Sequence, residues 1–226
     1  MKIDKLKIST ENLEQQYNFY KNILNLPVEK TDKNTLFINL GFSDLILRES
    51  EDFKPYHIAF HIPALKQEPA LLWLKERLEI LKAGEQEIID FKNWNAKSIY
   101  FYDADQNIIE FISRKHLFDS EESGFSEKDI IGISEVGLAV KNVKNTYNQI
   151  HQKTGLKKYF GDFEKFCVIG EDIGLLITVN QNEKTWFPTK NKSENAAFEL
   201  DFQYDHKLFK LMYDGKQLFI DQIKKP

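Results

Sequence analysis

YHIAFHIP at residues 56–63 and SIYFYDADQNIIEFISR at residues 98–114 bracket a helical stretch, and together they decide the fold. Tyr56 to Ile62 reads as a strand. Pro69 is well placed in the first turn of a helix, which is expected over Ala70 to Lys82 with Leu71, Leu74, Leu78 and Leu81 as its buried stripe. Gly84 stands where a helix C-terminal glycine belongs. Three strands follow, Glu87 to Phe91, Ser98 to Tyr102 and Ile108 to Ser113, the last two joined by the turn Asp103-Ala104-Asp105-Gln106-Asn107. The unit is strand–helix–strand–strand–strand, or βαβββ.

Working outward, the same unit recurs. Upstream, Ile3 to Thr10 alternates as a strand, Asn12 with Gln15 makes a capping box, and Leu13, Tyr17, Tyr20 and Leu24 form one apolar helix face. Asn25-Leu26-Pro27 ends that helix. Val28 to Lys30, Thr35 to Leu40 and Asp44 to Arg48 are its strands. Downstream, a third copy begins at Ile133 and carries EVGLAV from Glu135. Asn142 caps a helix carrying Val143, Tyr147 and Ile150, and Gly155 closes it. Strands Lys157 to Phe160, Lys165 to Ile169 and Leu175 to Val179 complete that copy. A fourth begins with NAAFELDF at Asn195 but has no room for a helix. Leu208 to Tyr213 and Lys216 to Ile223 read instead as a hairpin about Asp214-Gly215. The polar stretch Arg114 to Asp129 marks a boundary. The expected organisation is an N-terminal domain of two units over 1–115, a linker over 116–131, and a C-terminal domain over 132–226 holding one unit and a truncated one. The fold class is α+β.

Composition narrows the function classes. The 226 residues are 42% hydrophobic and 29% charged, enough to bury a sizeable core. Lys+Arg total 31 against Asp+Glu 35, a formal charge of −4, and no basic face for nucleic acid emerges, since Lys157-Lys158 and Lys224-Lys225 are the only lysine pairs. One cysteine, Cys167, allows neither an internal disulfide nor a Cys-rich zinc knuckle. No apolar run approaches a membrane span, and MKIDKLKIST has no signal-peptide core. The expectation is a cytoplasmic protein. No GxGxxG or GxxxxGK[ST] run cradles a phosphate.

YHIAFHIP, the following helix and SIYFYDADQNIIEFISR resemble the vicinal oxygen chelate superfamily, which includes glyoxalase I, bleomycin-resistance proteins and extradiol dioxygenases. KIDKLKISTENLEQQYNFYKNILNLPV resembles the same family's opening strand and helix, and EVGLAVKNVKNTYNQIHQKTGLK resembles them again. The turn departs from the family's D-P-x-G-N, with Ala104 for Pro and Gln106 for Gly. The resemblance implies paired βαβββ units forming half-open barrels around a cavity, here two pseudo-repeated barrel domains. It also implies a divalent metal (Fe, Mn, Ni or Zn) held from the first and last strands of each unit. By position the first two units offer Lys5, Leu47, His57 and Glu110, of which His57 and Glu110 match. The last two offer Glu135, Ile177, Asn195 and Ile220, which make no metal site, so the second half is expected to be metal-free.

Two matched ligands fall short of the usual three. His61 lies on the strand face of His57 but about 13 Å along it, too far to share an ion, and reads as a polar group farther along the cavity. Lys5 is the informative departure. At the ligand position its ammonium would face Glu110 and neutralise it in place of a metal; the bland alternative is a lysine that snorkels to solvent beside a relic polar pair. The resemblance therefore implies one of two functions. One is a divergent metal-dependent lyase or ring-cleaving dioxygenase with His57 and Glu110 as metal ligands and Glu110 as the catalytic group. The other is a non-catalytic, resistance-type binder with a degenerate metal site and no cofactor. Either takes a small molecule, in a pocket expected to include Lys5, His61, Trp94 and Tyr100. Exposed sheet edges leave a partner-binding role and a homodimer open. Cys167, in apolar KFCVIG, reads as an inert buried thiol. His116, His151 and His206 read as surface residues, and Trp186 as an interdomain plug as readily as a ligand contact.

Overall fold

The computed structural model describes residues 1–120 and 123–224. Unit one runs β1 (Lys2–Thr10), α1 (Leu13–Asn18), β2 (Val28–Asp32), β3 (Thr35–Leu40) and β4 (Ser43–Glu49). Asn12 Oδ1 caps α1 by accepting from the Gln15 backbone N–H at 3.0 Å, and the helix runs on through a wider turn over Phe19–Ile23. Unit two runs β5 (His57–Ile62), α2 (Gln67–Lys75), β6 (Ile89–Phe91), β7 (Ala96–Tyr102) and β8 (Ile108–Arg114). Unit three runs β9 (Gly132–Val140), α3 (Val143–Thr154), β10 (Lys158–Gly161), β11 (Phe166–Glu171) and β12 (Gly174–Asn180). Unit four keeps strands alone, β13 (Phe198–Tyr204), β14 (Lys207–Tyr213) and β15 (Leu218–Ile223). The fold is mixed α+β, as expected, and the hairpin turns at Asp214-Gly215 with Gly215 at φ +88°.

Helix α2 is shorter than the leucine stripe suggested. It starts at Gln67 and stops at Lys75. Beyond it the Leu81 N–H donates to the Tyr100 carbonyl at 2.8 Å, which draws the chain onto β7. Leu71 and Leu74 therefore pack from the helix, whereas Leu78 and Leu81 pack from irregular chain. Tertiary pairing has overridden local propensity.

In each complete unit the first and last strands are parallel neighbours, β1 with β4, β5 with β8 and β9 with β12. The units do not pair in chain order, however. One sheet has the order β15-β14-β13-β1-β4-β3-β2, joining units four and one. The other has the order β10-β11-β12-β9-β5-β8-β7-β6, joining units three and two. The expected division of 1–115 from 132–226 therefore does not separate the sheets, because each takes one unit from either side. The stretch 116–131, of which residues 121 and 122 lie outside the described residues, connects β8 to β9 within a single sheet. It is tied down by the Lys66–Asp129 ion pair at 2.8 Å.

One apolar core fills the space between the sheets, with Ile3, Leu6 and Leu200 from one and Phe60, Phe111 and Val136 from the other. A polar staple crosses it where the 103–107 turn meets unit one. Asp103 accepts from Gln16 Nε2 at 2.9 Å and from the Tyr20 hydroxyl at 3.1 Å. Among the described residues no helix is long and apolar enough to cross a membrane.

Candidate functional site

The concave face of the second sheet holds a cavity of about 170 Å³. His57 enters it from the start of β5 and Glu110 from the middle of β8. β5 and β8 are parallel with His57 opposite Ile108 and Ala59 opposite Glu110, so the two side chains meet, His57 Nε2 lying 3.0 Å from Glu110 Oε2. Tyr100 on β7 stands opposite Glu110. Its ring lies 6.3 Å from the His57 ring, which the Trp186 ring approaches from 5.4 Å. Trp94, Phe91, Phe166 and Phe187 complete the aromatic walls.

Two further pocket residues come from unit three. β9 carries Glu135 beside this pair, and β12 carries Ile177 in the register position that Glu110 holds in unit two. The pairing of units two and three corrects the expectation that Glu135 and Ile177 belong to a separate second-half set. Glu135 is satisfied by Arg114, at the end of β8, whose Nη2 lies 2.7 Å from Glu135 Oε1 while Nη1 lies 2.8 Å from Ser134 Oγ. A β-bulge makes this double contact possible: the β5–β9 register shifts between the Ala59–Glu135 and Phe60–Ile133 pairs, with Ser134 as the extra residue. The Arg114 side chain is fully buried, and its Nε lies 3.7 Å from Asp172 Oδ1. Asp172 in turn takes a contact from His116 Nε2 at 2.8 Å.

Burial and the neighbouring Glu110 carboxylate push Glu135 up to about 7, against the pull of the Arg114 guanidinium and His57. Burial, helped by Glu110 and Glu135, holds the Tyr100 phenol well above its ordinary range, so it stays a neutral hydroxyl. His57 Nδ1 and Trp186 Nε1 are buried without a hydrogen-bond partner among the described residues.

Of the residues expected in the pocket, Trp94 and Tyr100 line it with His57 and Glu110, whereas Lys5 and His61 do not. Lys5 lies in the other sheet, opposite Asp201 and Asp44, so it cannot neutralise Glu110. His61 is farther along β5, where its Nε2 lies 3.1 Å from the Ile173 carbonyl and its ring meets Phe118 edge-on. Burial lowers its imidazole to about 3. Leu47 points into the core, Asn195 precedes β13 and hydrogen-bonds the Gly215 carbonyl, and Ile220 is core. Trp186 proves to be a pocket wall, carried by the long connection between β12 and β13. Cys167 is buried, and burial raises its thiol to about 11. Arg114 escaped the sequence reading, although an arginine four residues past Glu110 in the otherwise apolar run IIEFISR shares its strand face.

These donors do not suit the divalent metal that the family fold implies. Glu135 is held by a buried guanidinium, the fourth position is Ile177, and His57 Nε2 is turned to Glu110. Among the described residues no three His, Cys, Asp or Glu side chains are grouped to hold an ion.

No protein-family profile matches the chain. Over 116 residues, 48% of this chain and 80% of the relative, it is 30% identical to metallothiol transferase FosB of Staphylococcus epidermidis. It matches metallothiol transferase FosB of Staphylococcus haemolyticus (strain JCSC1435) equally, at 30% over the same length. Among solved structures, a putative dioxygenase from Bacillus subtilis subsp. subtilis str. 168 aligns with 100% of this chain and 86% of its own, with a TM-score of 0.62 at 11% identity. That likeness extends the shared architecture over all four units, while the sequence relatives carry the kinship. The chain belongs to the vicinal oxygen chelate superfamily, the family of glyoxalases, bleomycin-resistance proteins and dioxygenases.

Proposed function

We propose that this protein binds a flat, largely apolar small molecule of about one ring in the concave face of its second sheet, without a metal ion. The observation that carries this reading is the cavity itself. At about 170 Å³ it slightly exceeds the roughly 150 Å³ that admits benzene into an engineered protein core. Six aromatic side chains wall it, and its few polar groups gather on the strands around His57, Glu110 and Glu135. Mostly apolar walls with a few placed polar groups are the usual make-up of a small-molecule site. A metal-dependent lyase or dioxygenase fits less well, because the carboxylates are already matched to His57 and Arg114.

The test is a fluorescence titration of EDTA-treated protein with phenol, aniline and benzoate, reading Trp94 and Trp186. Saturable quenching is expected for at least one compound, and Val179→Phe, which fills the cavity from β12, should abolish it. No saturable binding by any of the three, or binding that requires added metal, overturns the reading.

A second reading rests on the unpartnered His57 Nδ1. If Nε2–H donates to Glu110, Nδ1 is left as a base oriented by a carboxylate, the arrangement general-base catalysis uses. Proton transfer to and from a bound ligand would then be the activity, and Glu110 the residue that orients the base. His57→Gln should stop exchange of a ligand's acidic C–H protons with D2O while leaving binding intact.

A further inference from the structure

We infer that Arg114 is the built-in cation of this site: its guanidinium takes up the Glu135 carboxylate that an ion would otherwise share with His57 and Glu110, and so keeps divalent metals out.

Three observations support this assignment. His57, Glu110 and Glu135 line one cavity from β5, β8 and β9, so an imidazole and two carboxylates are present, the number and type of donors that an open metal site uses, although with Glu135 drawn to Arg114 the three are not grouped about one point. Glu135 Oε1 is nevertheless bound to Arg114 at 2.7 Å, and a second guanidinium nitrogen is fixed on Ser134 Oγ at 2.8 Å. The guanidinium is held in a fork, by contacts that a flexible surface cation would lack. Finally, Arg114 is fully buried and always charged. Asp172, 3.7 Å from its Nε, is the other carboxylate facing it. A divalent ion placed on Glu135 would therefore sit beside a fixed positive charge in a site of low dielectric, where like charges repel strongly. Lys184, the remaining cation of the pocket, lies at the exposed rim with its Nζ over the Phe166 ring at 5.6 Å, so Arg114 is the cation in contact with Glu135.

This assignment is independent of which molecule the pocket takes, and it is tested with Co2+ alone. Wild-type protein, Arg114→Met and Ile177→Glu are titrated with Co2+ by visible absorption, with folding checked by near-ultraviolet circular dichroism. The expected result is no stoichiometric cobalt band for the wild type. One equivalent should bind to Arg114→Met, at least about tenfold tighter than to wild type, and be lost again on adding His57→Ala. Ile177→Glu supplies a carboxylate at the fourth family position while keeping Arg114, and should stay cobalt-free. Stoichiometric, His57-dependent binding by the wild type overturns the inference. So does cobalt binding by Ile177→Glu, or a folded Arg114→Met that takes no metal. If Arg114→Met fails to fold, the wild-type and Ile177→Glu titrations decide.

Discussion

His57 and His61 stand four residues apart on β5, yet only His57 faces the pocket. His61 is 1% exposed, and burial lowers its imidazole from 6.5 to about 3. The folded state therefore refuses a proton that the unfolded chain accepts, so stability is lost as pH falls from 6.5 towards 3. At pH 4.5 this histidine alone should cost the fold about 2–3 kcal/mol relative to pH 7. Urea midpoints at the two pH values should show that the pH-dependent loss shrinks in His61→Leu, although the variant is about 1 kcal/mol weaker at pH 7 for want of the bond to the Ile173 carbonyl. Equal slopes for both proteins would refute this. Gly137 supports the site differently. A Cβ there would meet Trp186 Cη2 at 2.7 Å and His57 Cβ at 3.2 Å. Gly137→Ala should displace Trp186, cost about 1–3 kcal/mol and red-shift the tryptophan emission. His57 and Glu110 were legible in the sequence because both fall on strands whose place in the unit is plain. Arg114 was not, because its role depends on a bulge at Ser134 that no local pattern announces.

At the scale of elements, punctuation residues carried the reading. Asn142 Oδ1 accepts from the Asn145 N–H at 2.9 Å, and Gly155 ends α3 at φ +80°, both as their residue types suggest. Asn142→Ala should therefore lower stability by about 1 kcal/mol in a urea melt, with unchanged ligand binding, since α3 contributes no residue to the pocket lining. The strands were similarly visible from their apolar runs and turn signals. The end of α2 was not, because the leucine spacing continues past Lys75 while the backbone turns away to reach Tyr100. The sequence leaves Trp186, in the connection between β12 and β13, open between an interdomain plug and a ligand contact; the fold brings it and Phe187 to the pocket. The connection is held by Asn191 Nδ2 on the Tyr102 hydroxyl at 2.8 Å and by Ser193 Oγ on the Lys184 carbonyl at 2.8 Å. Asn191→Ala removes one of these ties. Its expected effect is faster cleavage by protease within 181–195, slowed again by whichever aromatic ligand fills the cavity. Unchanged cleavage would show that the segment needs no such anchor.

At the scale of the whole molecule, the repeats were legible and their pairing was not. Copies of one unit can pair in chain order or across it, and the sequence of each copy looks the same either way. The observed pairing places β1 beside β13 and β5 beside β9, so the first and last units share one sheet and the middle two share the other. The two concave faces have diverged. In the sheet of units one and four, Lys7 Nζ meets Glu199 Oε1 at 2.8 Å and Lys210 Nζ meets Glu199 Oε2 at 3.0 Å. There too a carboxylate on a unit's first strand is matched by cations of the chain itself. The cross-pairing has a direct consequence for cutting the chain. A fragment of residues 1–115 would lose β13 from the edge of β1 and β9 from the edge of β5, leaving each paired on one side only, with β4 and β8, and it would expose half of a core built from both sheets. A fragment of residues 132–226 would lose the same contacts from the other side. Open strand edges beside an exposed apolar core favour aggregation over folding. Each fragment alone should therefore lack cooperative thermal unfolding and bind a hydrophobic dye. Mixing the two from denaturant should restore a single cooperative transition and bury Trp186 again. Two halves that each melt cooperatively by themselves would instead mean that units one and two can pair without their partners, which the observed strand order argues against.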